Sequence, residues 1–86
     1  MRQEITRIAE AVLGVGSVAS VLLEQRRNAD EQDVLWIDVI YRQPGVMSAS
    51  KSQSIIDAIW LLPDLGDRLP VVSFTTEEDN RLEAAE

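Results

Sequence analysis

The sequence predicts an α+β fold, a two-layer sandwich in which a three-stranded sheet carries two amphipathic helices on one face. Two segments repeat apolar residues at helical spacing, and three others are rich in β-branched and aromatic residues. The expected order is helix, strand, strand, helix, strand and a short C-terminal helix. A length of 86 residues corresponds to a single domain over residues 1–86.

The first helix is predicted over residues 3–13. Apolar residues recur there at the spacing i, i+3, i+4, i+7 and i+8. They are Ile5, Ile8, Ala9, Val12 and Leu13. Gly14 is expected to end the helix, because glycine tolerates the positive φ found at helix ends. We expect Ile8 to be buried on this stripe.

The first strand is predicted over residues 17–25. Side chains alternate along a strand, which places Ala19, Val21 and Leu23 on one face. The opposite face then carries Val18, Ser20, Leu22 and Glu24. Residues 26–33 are polar and favour a loop, so this strand and the next are expected to form an antiparallel hairpin.

The second strand, over residues 34–42, has the highest content of β-branched and aromatic residues. One face is wholly apolar and is expected to lie against the core. It consists of Leu35, Ile37, Val39 and Tyr41. The other face is mixed and carries Val34, Trp36, Asp38, Ile40 and Arg42. Burial of Ile37 and Val39 is therefore predicted.

The second helix is expected after a turn at residues 43–45. Either Ser48 or Ser50 can cap its N-terminus, and Pro63 ends it just after Leu62. The stripe predicted to face the core is Ile55, Ile56, Ile59 and Leu62. Burial of Ile59 follows from its central place on that stripe.

The third strand is predicted over residues 69–75. Pro70 favours a sheet edge or a strand start, because proline has no amide hydrogen. The direction of this strand relative to the second, parallel or antiparallel, stays open. Thr76 and Asp79 resemble a capping box, and a short C-terminal helix anchored by Leu82 and Ala85 is expected to follow.

The charge balance limits the classes of partner. The net charge is −7, and only 8 residues are basic. Nucleic acids and anionic membrane surfaces are disfavoured, because both are bound through Lys and Arg. A basic protein is a more compatible partner. No apolar run has the form of a signal peptide or a membrane span, which predicts a cytoplasmic protein.

Two residue types are missing from the sequence. Without cysteine, disulfides and thiolate metal sites are excluded, and without histidine the usual general base is absent. We therefore expect no catalytic site, no metal and no cofactor.

Ser48 and Lys51 match the letters of a Ser-x-x-Lys dyad, but a capped helix start is the better interpretation. The carboxylates of Asp57, Asp64 and Asp67 are interpreted as a solvated group near one helix end.

Gly16 and Ser17 precede the first strand, and this dipeptide resembles the Gly-Ser turn of the minimal nucleotidyltransferases. Those enzymes also need two acidic residues spaced one apart on a strand. That pair holds the two divalent cations beside the triphosphate. In this sequence Asp38 has Trp36 and Ile40 at the positions where a second carboxylate belongs. A degenerate domain that binds a nucleotide without turnover remains the alternative function. A small-molecule enzyme without His or Cys is a third possibility.

The strand at residues 34–41, a helix broken by Pro63, and the segment Leu-Pro-Val-Val-Ser-Phe at residues 69–74 resemble a group of small uncharacterised bacterial proteins. That group combines a Leu-Trp strand ending in Tyr with a Pro-Val-x-Ser-Phe strand and an acidic helix. Its members are often encoded beside helical proteins of the HEPN (higher eukaryotes and prokaryotes nucleotide-binding) type. The resemblance covers residues 17–85. It implies a protein partner in a toxin–antitoxin-like pair, and it implies no activity.

The leading prediction is a non-enzymatic module for protein–protein interaction, the acidic member of such a pair. Both long helices suit the apolar face of the second strand, which leaves large apolar side chains on the other face. The predicted partner-binding residues are Val18, Leu22, Trp36 and Ile40, with Asp38 and Arg42 as a polar rim. The occupant is expected to be a protein partner or a second copy in a homodimer. In the competing interpretation, the C-terminal helix folds back and covers this face.

Overall fold

The structure is a computed structural model, and it describes the backbone of residues 1–84 and the side chains of residues 1–81. The helices and strands follow the predicted order. They are α1 (Arg2–Leu13), β1 (Val18–Arg27), β2 (Asp33–Tyr41), α2 (Ala49–Trp60), β3 (Leu69–Thr76) and α3 (Glu77–Ala84). The α+β class is confirmed. None of the helices in the described part of the chain is long and apolar enough to cross a membrane.

The sheet has the strand order β1-β2-β3, with β2 in the centre. The hairpin of β1 and β2 is antiparallel, as predicted, whereas β3 runs parallel to β2. Parallel neighbours need a long crossover connection, and α2 supplies it. Pro70 lies near the start of β3, on an edge strand, where its missing amide hydrogen is tolerated.

The core lies between the sheet and the two long helices, which pack on one face of the sheet and against each other. Its buried residues are Ile5, Ala9, Leu13, Val18, Val21, Leu35, Ile37, Val39, Tyr41, Ile55, Ile59 and Leu65. The predicted burial of Ile37, Val39 and Ile59 is confirmed. Ile8 is only partly buried, because Ile5 and Ala9 occupy the centre of the α1 stripe and Ile8 packs at its margin.

A β-bulge at the start of β1 contradicts the predicted alternation of that strand. Val18 pairs with Tyr41, but Ser20 pairs with Ile40, so Ala19 is the extra residue. Since one extra residue reverses the face on which a side chain lies, Val18 joins the core, where 8% of its surface is exposed. The prediction that Val18 contacts a partner on the other face is therefore wrong.

Ser48, and not Ser50, caps α2. Its hydroxyl oxygen accepts a hydrogen bond of 3.2 Å from the amide of Lys51, and its backbone is extended as a cap requires. We expect Ser48→Ala to lower the free energy of unfolding by about 1 kcal/mol. Ser50→Ala is the matched control and should be neutral or slightly stabilising, because Ser50 lies inside the helix, where alanine is favoured. Urea unfolding followed by circular dichroism measures both, and equal midpoints would contradict the assignment.

Candidate functional site

The face of the sheet opposite α1 and α2 is the candidate site, and we call it the open face. Strand register and the alternation of side chains together assign its members. They are Ser20, Leu22, Glu24 and Arg26 of β1, Val34, Trp36, Asp38 and Ile40 of β2, and Leu69, Val71, Ser73 and Thr75 of β3. The face thus forms four rows across the three strands.

Two large apolar side chains remain accessible near the centre of the open face. Trp36 is 39% exposed and Leu22 is 48% exposed. They belong to adjacent rows, since Leu22 is the register partner of Asp38, and Trp36 lies two residues before Asp38. Together with Ser73 they line a concavity of about 460 Å³ that is open to solvent. This is the accessible part of the face that the sequence predicted.

Ile40 lies in the row nearest the C-terminal end of β2, and only 1% of its surface is exposed. Helix α3 follows β3 directly and contacts both β3 and β2 at this end of the sheet. A side chain so buried presents no surface to a partner, so the prediction that Ile40 contacts a partner is wrong. The anchors predicted for α3 are not tested, because Ala85 and the Leu82 side chain lie outside what the structure describes.

Arg42, which follows β2, is engaged by groups of its own chain. Its Nε donates a 3.1 Å hydrogen bond to the carbonyl of Gly16, and its guanidinium lies 3.2 Å from a carboxylate oxygen of Glu77. Its backbone amide also donates to the carbonyl of Ser17. Arg42 therefore joins the turn between α1 and β1 to the first turn of α3, at the margin of the open face.

The carboxylate of Asp38 is held in place by two hydroxyl groups of the neighbouring strand. Its Oδ1 accepts hydrogen bonds from Ser73 Oγ at 3.1 Å and from Thr75 Oγ1 at 3.0 Å. Sequence reasoning did not find these partners, because they meet Asp38 only when β3 is parallel to β2 in this register. Asp38 is thus a half-buried, oriented acceptor in the middle of the open face.

Sequence reasoning also missed Arg26. Its guanidinium carbon lies 4.8 Å from the centroid of the Trp36 ring, a cation–π distance, and its Nη2 lies 2.8 Å from Glu24 Oε2. The hydrogen bond from Arg26 holds the pKa of the Glu24 carboxyl below its ordinary value. The strand was predicted to end at residue 25, so the sequence did not place Arg26 on the same face as Glu24 and Trp36.

The Gly-Ser turn before β1 uses its polar groups internally. The amide of Gly16 donates a 2.7 Å hydrogen bond to Glu10 Oε2, and the Ser17 hydroxyl donates to the carbonyl of Leu13 at 3.1 Å. Gly16 has φ of 81°, a backbone conformation that favours glycine. A carboxylate therefore lies where a phosphate would have to bind. Within the described residues, no three acidic side chains converge as ligands for a metal ion.

Comparisons with known proteins assign no family to this chain: no family model, curated protein or solved structure matches it.

Proposed function

We propose that this chain is a non-enzymatic protein-binding module that contacts a basic protein partner through the open face of its sheet. The observation that carries the proposal is the pair Trp36 and Leu22, both large, apolar and well exposed side by side on a sheet face. Contiguous apolar patches on small domains usually mark contact sites. Tryptophan is also enriched among the residues that dominate binding energy.

Charge supports a basic partner over a second copy of the chain. At a net charge of −7, two copies repel each other, and a basic protein is attracted. Acidic residues stand at both ends of the open face. The hairpin end carries Asp30, Glu31 and Asp33, of which Asp33 pairs with Arg27. The other end carries Glu77, Glu78 and Asp79 in the first turn of α3, of which Glu77 pairs with Arg42. These charges can steer a basic partner onto the apolar centre.

The proposal extends to the acidic role in a toxin–antitoxin-like pair, located in the cytoplasm. The resemblance of residues 17–85 to bacterial proteins encoded beside HEPN-type helical proteins makes such a helical protein the candidate partner. We do not propose nucleotide binding, because the Gly16 amide and the Ser17 hydroxyl are already bonded within the chain.

A charge placed at the centre of the patch should abolish partner binding. Trp36→Glu exchanges an exposed aromatic anchor for a carboxylate beside Glu24, its register partner. Trp60→Glu is the matched control, because Trp60 is also exposed but lies at the end of α2. The tagged parent and both variants are used as bait in an extract of the native host, and captured proteins are identified by mass spectrometry. We expect a basic protein that the parent and Trp60→Glu retain and that Trp36→Glu loses.

Two outcomes contradict the proposal. If Trp36→Glu retains every partner of the parent, the open face is not the binding surface. Light scattering at high protein concentration gives the second test. If the parent is a dimer that Trp36→Glu dissociates, then the occupant of the face is a second copy and not a basic partner.

A further inference from the structure

Besides the ion pair of Glu24 and Arg26, the lining of the concavity combines three chemically different groups. Trp36 supplies an aromatic ring, Leu22 an aliphatic side chain and Asp38 a carboxylate. Asp38 and Trp36 are two residues apart on β2, which places their Cα atoms about 6.6 Å apart on the same face. Leu22 is opposite Asp38 in the register of β1 and β2. The three groups are therefore close enough for one side chain to touch all of them.

In the part of the chain that the structure describes, the Asp38 carboxylate has no counter-ion. Among the described residues, no Arg or Lys nitrogen lies within 4.0 Å of it, whereas Glu24 is paired with Arg26. Its Oδ1 is held by Ser73 and Thr75, and among the same residues no group donates to Oδ2. A carboxylate whose orientation is already fixed by its neighbours is preorganised to accept a hydrogen bond from a cationic donor, because binding does not have to order it.

The chain's own Arg26 already lies over the Trp36 ring, so a guanidinium is compatible with this aromatic surface. The guanidinium carbon of Arg26 lies 4.8 Å from the centroid of the Trp36 ring. A guanidinium is planar, stacks on aromatic rings and donates to carboxylates in a defined plane, which an ammonium group does not. An arginine side chain also has an aliphatic stem that can lie along an apolar wall such as Leu22.

We infer, resting on the proposed function, that the concavity is a receptor for an arginine side chain of the partner, whose guanidinium pairs with Asp38 and packs beside Trp36. The partner's recognition segment is thus basic because it carries at least one arginine that enters the open face. Long-range attraction to the acidic ends of the face is a separate contribution, which does not select arginine over other basic groups.

The test uses the intact protein and a small probe, N-acetyl-arginine amide, followed by nuclear magnetic resonance. N-acetyl-citrulline amide is the neutral control of nearly the same shape. A Trp60→Phe background leaves Trp36 as the single indole reporter. We expect millimolar binding of the arginine compound, with shifts concentrated at the Trp36 indole and at the backbone of residues 22–24 and 36–38. The citrulline compound should bind at least fivefold more weakly.

Asp38→Asn removes the charge and keeps an oxygen that can accept from Ser73 and Thr75. We expect it to weaken the arginine compound by about fivefold or more, because a charge-assisted hydrogen bond is lost. Asp57→Asn is the matched control on α2, where Asp57 accepts a hydrogen bond from Gln53, and it should leave affinity unchanged. Circular dichroism confirms that both variants are folded.

The inference is overturned if Asp38→Asn binds the arginine compound as well as the parent does. It is also overturned if the citrulline compound binds equally well, or if the shifts spread evenly over the acidic ends of the face. Its failure is distinguishable from that of the proposed function. If the probe behaves as expected but Trp36→Glu retains the partner, the site stands and the proposed function fails. If Trp36→Glu loses the partner but Asp38→Asn binds the arginine compound as tightly as the parent does, only this inference fails.

Discussion

Ile37→Ala is expected to lower the free energy of unfolding by about 2–5 kcal/mol. Ile37 is fully buried in the middle of the central strand, and its side chain faces the layer formed by α1 and α2. Truncation leaves a cavity in addition to the lost burial of apolar surface, and a central strand between two others cannot move to close it. For a chain of 86 residues, whose total stability is roughly 4–13 kcal/mol, this is a large share.

Urea unfolding, followed by circular dichroism and by tryptophan fluorescence, measures the effect. Leu61→Ala serves as the control, because Leu61 is highly exposed just after α2 and its truncation removes little buried surface. A midpoint for Ile37→Ala that equals the parent's would show that β2 does not present this side chain to the core.

Val18→Asn is expected to cost about 3 kcal/mol or more, whereas Leu22→Asn is expected to cost about half of that or less. At Val18 the change removes buried apolar surface, worth about 1.5–3 kcal/mol, and leaves an amide without partners in the core, which costs about 1–3 kcal/mol. Leu22 is half exposed on the open face, so its amide would remain hydrated. Both substitutions place the same poor strand former in β1, so the strand propensities of the two variants differ only through the parent residues Val and Leu.

This pair tests the β-bulge at Ala19 directly. In a strand with plain alternation, positions 18 and 22 share a face, and the two variants would then lose similar stability. With the bulge, Val18 faces α1 and α2, and Leu22 faces away from them. Thermal or urea unfolding of the two variants side by side decides between these arrangements, and comparable losses would contradict the bulge.

The sequence by itself determined the helices, the strands and the face of the sheet that the helices cover. The apolar stripe of β2, from Leu35 to Tyr41, is unbroken over four alternate positions, and the stripe of α2 places Ile55 and Ile59 at helical spacing. Such patterns depend only on the local geometry of strands and helices, so they predict which face is buried before any long-range contact is known. For the same reason the exposure of Trp36 was predicted.

Only the tertiary structure decided where the chain departs from local periodicity and which strands become neighbours. The parallel register of β3 brings Ser73 and Thr75 to Asp38, and the bulge turns Val18 into the core. Ile40, at the end of the sheet where α3 contacts β2, is almost fully buried. The pairing of β2 with β3 joins residues 35 positions apart, and its energy depends on all of the packing at once. No pattern within one segment contains that information. Leu22, Trp36 and Asp38 could therefore be placed on this face from the sequence, whereas the burial of Val18 and Ile40 and the hydroxyl partners of Asp38 could not.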